Sequence, residues 1–218
     1  MMPDKSDDFS DVAESASDCS AIQRTASCSE PNALGPGFRI TYGGRRNPIQ
    51  TREDTTMPIK VGDRLPPDIK FRVMGPDGPV WKPTEEVFKG KKVVLFAVPG
   101  AFTPTCNNNH LPGFLKNVDA FKGKGIDTVA VTGVNDVFVF DAWKKATGAG
   151  GKIEFLADGN GDFAKALDMT MDGSGGGLGI RSKRYAMLVE DGVVKKLNVE
   201  AVPGNAETSS ADNLLKQM

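Results

Sequence analysis

A threonine, a cysteine and a histidine follow one another closely in the segment Pro99-Gly-Ala-Phe-Thr103-Pro-Thr-Cys106-Asn-Asn-Asn-His110. Thr103 followed by Pro104 is typical of a helix N-cap with proline at the first helical position. Cys106 would then lie in the first helical turn, where unpaired backbone N–H groups and the helix dipole stabilise an anion. A thiolate is the nucleophilic and oxidisable form of cysteine. The segment therefore predicts a reactive thiol at Cys106.

The alternative for a lone cysteine is a small buried core residue, which is the common case. The neighbours of Cys106 argue against it, because three asparagines and a histidine do not form an apolar face. His110 follows Cys106 by four residues and shares its helical face. A Cys–His pair is one interpretation of that spacing, but a thiolate stabilised by a helix needs no base. We expect His110 instead to contact the site residues without touching the substrate, or to contact another subunit.

Composition excludes several classes of protein. The 218 residues carry 27 Lys and Arg against 28 Asp and Glu, so the chain lacks the basic excess of a nucleic-acid-binding protein. The longest apolar run, Val93–Pro99, is far shorter than the roughly 20 residues of a membrane helix. Three cysteines without a Cys-x-x-Cys pair, and one histidine, suit neither a zinc site nor a disulfide scaffold. We expect no nucleic-acid, membrane or metal partner.

The first 56 residues differ from the rest in composition. Acidic residues are frequent up to Asp18 and arginines are scattered after it, without a helical or alternating apolar pattern. We expect a disordered extension over residues 1–56 and one folded domain over residues 57–218. The extension has neither the apolar centre of a signal peptide nor the acid-poor start of a mitochondrial transit peptide. The sequence therefore predicts a cytoplasmic protein.

Strand and helix patterns alternate after Met57. Apolar runs predict five strands, Lys91–Val98, Thr128–Val134, Lys152–Ala157, Tyr185–Val189 and Val193–Val199. Helical spacing predicts helices over Asp136–Thr147, Asp162–Met169 and Ser210–Lys216, besides the one after Cys106. Asp191-Gly192 between the last two strands is a strong hairpin signal. The order predicts an α/β fold of the thioredoxin kind, a central mixed sheet flanked by helices.

The helix after Cys106 is expected to contain a break. Its apolar stripe runs from Leu111 to Phe121. Pro112 lies at the start of that stripe and has no N–H to donate to the carbonyl of Asn108. We expect a kink there, which separates the cysteine-bearing turn from the packed part of the helix.

These strings are similar to a known family. Pro99-x-x-x-Thr103-x-x-Cys106 resembles the signature of the peroxiredoxins, and PGAFTPTC…HLPGF resembles their atypical type II or type five branch. The strings GVNDVFVFDAW, FLADGNGDFAKAL, GIRSKRYAMLVEDGVV and LNVE further along resemble the same branch. The resemblance extends from about Met57 to the end of the chain. It implies a thioredoxin-like fold and a thiol peroxidase acting on hydrogen peroxide and small organic hydroperoxides.

The resemblance also implies residue roles. Cys106 is expected to be the peroxidatic cysteine, with Thr103 bonding its sulfur and the peroxide and Pro99 shielding the pocket from water. Arg184 occupies the position of the family's active-site arginine. An arginine suits that position because it stays charged and presents a planar fork of donors to the charge that develops on the departing oxygen.

The sequence departs from the family pattern at the second cysteine. Relatives often carry one in the strand before Val-Asn-Asp or in the carboxyl-terminal loop, where this chain has Val131 and about Ser209. Cys19 and Cys28 lie in the extension, and nothing around them indicates docking. We expect a one-cysteine cycle without a bound cofactor, in which glutathione with glutaredoxin, or else thioredoxin, supplies the electrons. The resemblance further implies a homodimer.

A second class of function stays open at this point. Cys106 could be oxidised once and pass a disulfide to a partner protein, as a peroxide sensor or redox relay does. A thiol–disulfide oxidoreductase is disfavoured, because position 109 is an asparagine and position 103 a threonine. Steady-state turnover with a thiol reductant distinguishes an enzyme from a sensor.

Overall fold

Nine strands and five α-helices alternate along residues 58–218, the part of the chain that the computed structural model describes. The predictions for residues 1–56 lie outside this part. The strands are β1 Lys70–Gly75, β2 Gly78–Pro83, β3 Lys92–Ala97, β4 Thr128–Gly133, β5 Glu154–Ala157, β6 Thr170–Asp172, β7 Ile180–Ser182, β8 Tyr185–Glu190 and β9 Val193–Val199. The helices are α1 Thr84–Phe88, α2 Leu111–Gly123, α3 Val137–Ala146, α4 Asp162–Ala166 and α5 Ala211–Lys216.

Seven of the strands form one mixed sheet in the order β2-β1-β5-β4-β3-β8-β9. Strands β3, β4 and β5 run parallel at its centre, and antiparallel pairs extend it on both sides. Strands β6 and β7 pair separately. The predicted thioredoxin-like α/β fold with a central mixed sheet is confirmed. No helix in this part of the chain has both the length and the apolar character of a membrane span.

The central strand β3 is buried on both faces. Val94 and Phe96 point into a core shared with α2, α3 and α5, whereas Val93 and Leu95 point into a second core shared with α1 and α4. Because side chains alternate across a strand, a strand covered on both faces reads as an unbroken apolar run. That is why the sequence located β3 so clearly. The residue that follows β3 begins the loop to Cys106, so the rigid centre of the sheet carries the candidate site.

The β8–β9 hairpin brings the second half of the site to the same strand. Asp191 and Gly192 both have positive φ, +47° and +75°, as the predicted tight hairpin turn requires. Strand β8 pairs antiparallel with β3, so that Tyr185 lies opposite Ala97. Arg184 directly precedes Tyr185, and the chain leaves β3 just after Ala97. The register therefore places Arg184 beside the loop that leads to Cys106.

The predicted elements are all present, with ends that differ by at most three residues. The hairpin of β1 and β2, the short pair of β6 and β7, and the helix α1 were not predicted. In β1 only Phe71 is fully buried, and β2 carries two prolines at a half-exposed edge, so neither gives a strong apolar pattern. The helix predicted over Asp162–Met169 ends earlier, at Ala166.

A glycine-to-alanine pair tests the close packing beneath the site. A Cβ added at Gly133, the end of β4, would lie 2.7 Å from the carbonyl oxygen of Val98, the residue before Pro99. We expect Gly133→Ala to lower the free energy of unfolding by about 1–3 kcal/mol, since the backbone must shift. Gly113→Ala is the matched control, because a Cβ there has no neighbour within 4 Å and alanine favours the helix. Urea denaturation measures both variants. Equal stability of the two variants would contradict this packing.

Candidate active site

Cys106 begins a π-helical turn, Cys106–His110, that runs directly into α2. The N–H of Leu111 bonds the carbonyl oxygen of Cys106, five residues back. Pro112 has no N–H for the next bond of a regular helix, so a wider turn is accommodated there at low cost. The predicted break at Pro112 thus takes the form of this π-helical turn. Cys106 is fully buried in it, although polar asparagines follow in the sequence.

The loop between β3 and this turn is held by its own polar groups. Thr103 Oγ1 donates to the carbonyl oxygen of Gly100 at 2.9 Å, and the Thr103 carbonyl accepts from the N–H of Asn107 at 2.9 Å. Helical residues begin at Pro104, so Thr103 takes the predicted N-cap position, and its hydroxyl bonds back into the loop. Pro99 is buried at the start of the loop, and the N–H of Ala101 donates to Asn135 Oδ1 at 2.9 Å.

Arg184 contacts the sulfur of Cys106. One terminal nitrogen of its guanidinium lies 3.3 Å from Cys106 Sγ, although the two residues are 78 positions apart in the chain. Arg184 is only 2% exposed. A guanidinium at this distance, shielded from water, stabilises negative charge on the sulfur and on any atom that sulfur attacks. The structure thus brings together two residues that the sequence resemblance picked out separately.

Two further contacts fix the guanidinium. The carbonyl oxygen of Pro203 accepts from Nε of Arg184 at 3.1 Å. It also accepts, at 3.0 Å, from the same terminal nitrogen that contacts Cys106. The other terminal nitrogen lies 3.2 Å from His110 Nδ1. A buried cation is tolerated when its donors have acceptors. Arg184 is therefore held on both edges of its plane.

His110 bonds Arg184 and Ser209. Its Nε2 lies 3.0 Å from the carbonyl oxygen of Ser209 and 3.2 Å from the Ser209 hydroxyl. The rings of Phe96 and Phe114 meet it edge-on. Burial lowers the pKa of His110 from the usual 6.5 to about 3; the Ser209 carbonyl opposes this shift, and the charge of Arg184 adds to it. His110 is thus a neutral acceptor for Arg184, an arrangement that favours the supporting role over the Cys–His pair.

Two more contacts hold the turn that carries Cys106, and no pattern in the sequence predicts either of them. Trp143 Nε1 donates to Asn107 Oδ1 at 2.8 Å, which ties the turn to α3. Thr105 Oγ1 donates to the carbonyl oxygen of Gly204 at 2.9 Å, which ties it to the loop after β9. Contacts between residues so distant in sequence leave no local periodicity. Within residues 58–218, no group of three or more His, Cys, Asp or Glu side chains could hold a metal ion.

Comparison with known proteins agrees with this geometry. Residues 60–215 match the family model described as Redoxin. The chain is 42% identical over 209 residues to Peroxiredoxin-2E, chloroplastic, of Arabidopsis thaliana, a match covering 90% of this chain and 88% of that protein. It is 48% identical over 165 residues to Peroxiredoxin-2E-2, chloroplastic, of Oryza sativa subsp. japonica, covering 73% of this chain and 72% of the relative.

A solved structure shows the same likeness. Reduced Prx3 of Vibrio vulnificus in complex with H2O2 is 47% identical, with a TM-score of 0.69, and the match covers 73% of this chain and 98% of that one. A cysteine at the start of a helix, beside a buried arginine on a thioredoxin-like sheet, defines the class of thiol peroxidases. The chain belongs to the peroxiredoxin family.

The names of the relatives contradict the predicted cytoplasmic location. Both plant proteins are named as chloroplastic. The match to the Arabidopsis protein covers 209 residues, so it extends beyond residues 57–218 into the segment before them. The prediction of a cytoplasmic protein is therefore wrong, and the relatives point to an organelle. The acidic start of the chain is atypical of both mitochondrial and chloroplast leaders, which is why composition did not indicate an organelle.

The burial of His110 predicts a pH dependence of stability. Because the pKa of His110 is about 3 in the folded state and about 6.5 when unfolded, only the unfolded chain binds this proton between those values. The free energy of unfolding should therefore fall as pH drops from 6.5 towards 3, by up to about 1.4 kcal/mol per pH unit from this group. His110→Asn lacks the titrating group and keeps an acceptor for Arg184. Urea denaturation of both proteins between pH 7 and 4 isolates the difference, and a flat difference would contradict the buried neutral histidine.

Proposed function

We propose that the protein reduces hydrogen peroxide and small organic hydroperoxides at Cys106 and is regenerated by glutathione with glutaredoxin. The observation that carries the first part is the 3.3 Å contact between the Arg184 guanidinium and Cys106 Sγ. In this proposal Cys106, Thr103, Arg184 and Pro99 form the catalytic set. The structure of reduced Prx3 from Vibrio vulnificus in complex with H2O2 supports the choice of substrate.

The chemical step is an in-line displacement. The Cys106 thiolate attacks one oxygen of the peroxide, so that an S–O bond forms while the O–O bond breaks. The bonding electron pair leaves with the other oxygen as hydroxide or alkoxide, which takes up a proton to give water or an alcohol. The cysteine is oxidised to a sulfenic acid and the peroxide is reduced.

The fixed donors around the sulfur lower the barrier of this step. Negative charge moves from the sulfur to the leaving oxygen, and Arg184 is already oriented beside that path. Donors that are held in place need no reorganisation when the charge moves, which is why they are effective. Thr103 gives its own proton to Gly100 and so offers an oxygen lone pair to the O–H of the peroxide. Pro99 adds a buried wall that carries no N–H donor.

In this proposal the thiol that regenerates Cys106 comes from another molecule. Cys106 is the one cysteine within residues 58–218. Val131 is buried inside β4, and Ser209 is buried with its hydroxyl engaged in hydrogen bonds. Glutathione would attack the sulfenic acid to give a mixed disulfide and water. A second thiol, from glutathione or glutaredoxin, would then release Cys106 and form the second disulfide.

A homodimer is part of the same proposal. Phe102 and Val202, in the two loops that hold the site, are 50% and 55% exposed. A contiguous apolar surface is typical of a face that another subunit covers, and in this proposal the two side chains form part of such a face.

A two-variant experiment tests the proposed peroxidase. Without reductant, the purified protein should consume about one peroxide per chain, since each sulfur is oxidised once. Cys106→Ser should consume none. Arg184→Lys keeps the charge but loses the planar fork, and we expect the rate constant of oxidation to fall by roughly 100-fold. Stopped-flow fluorescence follows the reaction. Undiminished peroxide consumption by Cys106→Ser would refute the mechanism.

A full-length double variant tests the source of the second thiol. Cys19→Ser combined with Cys28→Ser should retain wild-type turnover with glutathione and glutaredoxin, because the proposal gives neither cysteine a role. Parallel assays with thioredoxin show which donor is preferred. A large loss of turnover in the double variant would assign the second thiol to the extension. A single oxidation without turnover in any donor system would favour the peroxide sensor instead.

A further inference from the structure

We propose that Glu200 and Ser209 are positioning residues of the active site, which hold Arg184 against Cys106 by fixing the tautomer of His110. This inference rests on the proposed function in one respect, the part that Arg184 plays at the sulfur. It adds two residues that do not touch Cys106 and to which the sequence analysis assigns no role at the site. Glu200 is 9% exposed and Ser209 is fully buried, so both lie inside the domain.

The four residues form a closed ring of hydrogen bonds. The backbone N–H of Glu200 donates to the carbonyl oxygen of Arg184 at 3.0 Å, across the β8–β9 hairpin. Glu200 Oε1 accepts from the backbone N–H of Ser209 at 2.7 Å and from its hydroxyl at 2.8 Å. Ser209 contacts His110 Nε2, and His110 Nδ1 contacts the guanidinium of Arg184. The ring thus starts and ends at Arg184.

The partners of the two imidazole nitrogens determine where the proton lies. The guanidinium that faces Nδ1 can only donate, so Nδ1 must carry a lone pair. The carbonyl oxygen of Ser209 that faces Nε2 can only accept, so Nε2 must carry the hydrogen. A charged imidazole, or the opposite tautomer, would set a donor against a donor at Arg184. His110 is therefore neutral, with its proton on Nε2.

Glu200 stabilises this tautomer through its hydrogen bonds to Ser209. The hydroxyl of Ser209 could turn its hydrogen towards Nε2 and so stabilise the opposite tautomer. It cannot do so while that hydrogen is given to Glu200 Oε1, which leaves only lone pairs facing the imidazole. The same oxygen also holds the N–H of Ser209, which fixes the direction of the peptide next to it. One carboxylate oxygen therefore directs the Ser209 hydroxyl and anchors the residue whose carbonyl oxygen faces Nε2.

The consequence reaches the sulfur through Arg184. With a lone pair on Nδ1, one terminal nitrogen of the guanidinium is held by His110, and the other stays within 3.3 Å of Cys106 Sγ. If Nδ1 carried a hydrogen, the guanidinium would lose this acceptor and would have to rotate about its remaining bonds to Pro203. The donor aimed at the sulfur would then move with it.

The single histidine of the chain allows a direct test. His110 is the only histidine, so histidine labelled with 15N gives one pair of ring-nitrogen resonances. A nitrogen with a lone pair and a nitrogen with a hydrogen have well-separated chemical shifts. We expect the full-length wild-type protein at pH 7 to show a hydrogen on Nε2 and none on Nδ1. A hydrogen on Nδ1, a mixture of tautomers or a charged ring would overturn the proposal.

Variants at Glu200 connect the tautomer to the reaction. Glu200→Ala should give a mixture of tautomers and lower the rate constant of Cys106 oxidation roughly 10-fold, as loss of an outer hydrogen-bond partner commonly does. Glu200→Gln keeps an oxygen that accepts from Ser209 and should restore the single tautomer and most of the rate. The matched control is Glu207→Ala, which removes an exposed carboxylate from the same loop. An unchanged tautomer and rate in Glu200→Ala would overturn the proposal.

The two readouts separate this inference from the proposed function. If the wild-type protein consumes no peroxide, the proposed function fails, whereas the tautomer measurement still decides the hydrogen-bond ring. If the protein consumes peroxide and Glu200→Ala keeps the Nε2-protonated ring, the ring is refuted and the peroxidase stands. A purely structural role for Glu200 would lower the urea midpoint without changing the tautomer.

Discussion

A positive charge held without water beside a sulfur atom is the constraint on which the rest of this structure depends. The guanidinium of Arg184 is buried, and it is tolerated because backbone and imidazole acceptors meet its edges. Those acceptors come from the loop after β9 and from the turn that contains Cys106. The hairpin, the π-helical turn and the carboxyl-terminal loop therefore have to meet at one point, and each is anchored to the others by side chains.

The sequence predicted the reactive residues of the site better than the residues that hold them in position. Strand β3 and the start of the following helix were predictable, because an unbroken apolar run and a Thr-Pro pair are local signals. Thr103 and Cys106 were indicated by the helix N-cap pattern and by the family motif, whereas Arg184 came from the family resemblance alone. The hairpin of β1 and β2 was missed because only Phe71 in β1 is fully buried. The roles of Glu200 and Ser209 could not be predicted, since the contact of Ser209 with a histidine 99 residues earlier leaves no pattern in neighbouring residues.

His110 illustrates how geometry decides between interpretations that spacing leaves open. Four residues after a cysteine, a histidine is equally compatible with a base and with a support. Its two ring nitrogens meet Arg184 and Ser209, and its aromatic neighbours remove it from water. The environment that keeps it neutral also makes it a dependable acceptor. His110 therefore contributes a lone pair in a fixed direction, which accepts from the guanidinium of Arg184 and does not contact the sulfur.

The antiparallel register of β3 and β8 has a consequence for how the chain is synthesised. Cys106 follows β3, whereas Arg184 precedes β8, so most of the carboxyl-terminal third must emerge before the two can meet. Until that long-range pairing forms, the sulfur is an ordinary cysteine without its cation. Under the proposed mechanism, an incomplete chain would stay slow towards oxidants, and full reactivity would require the last strands of the sheet.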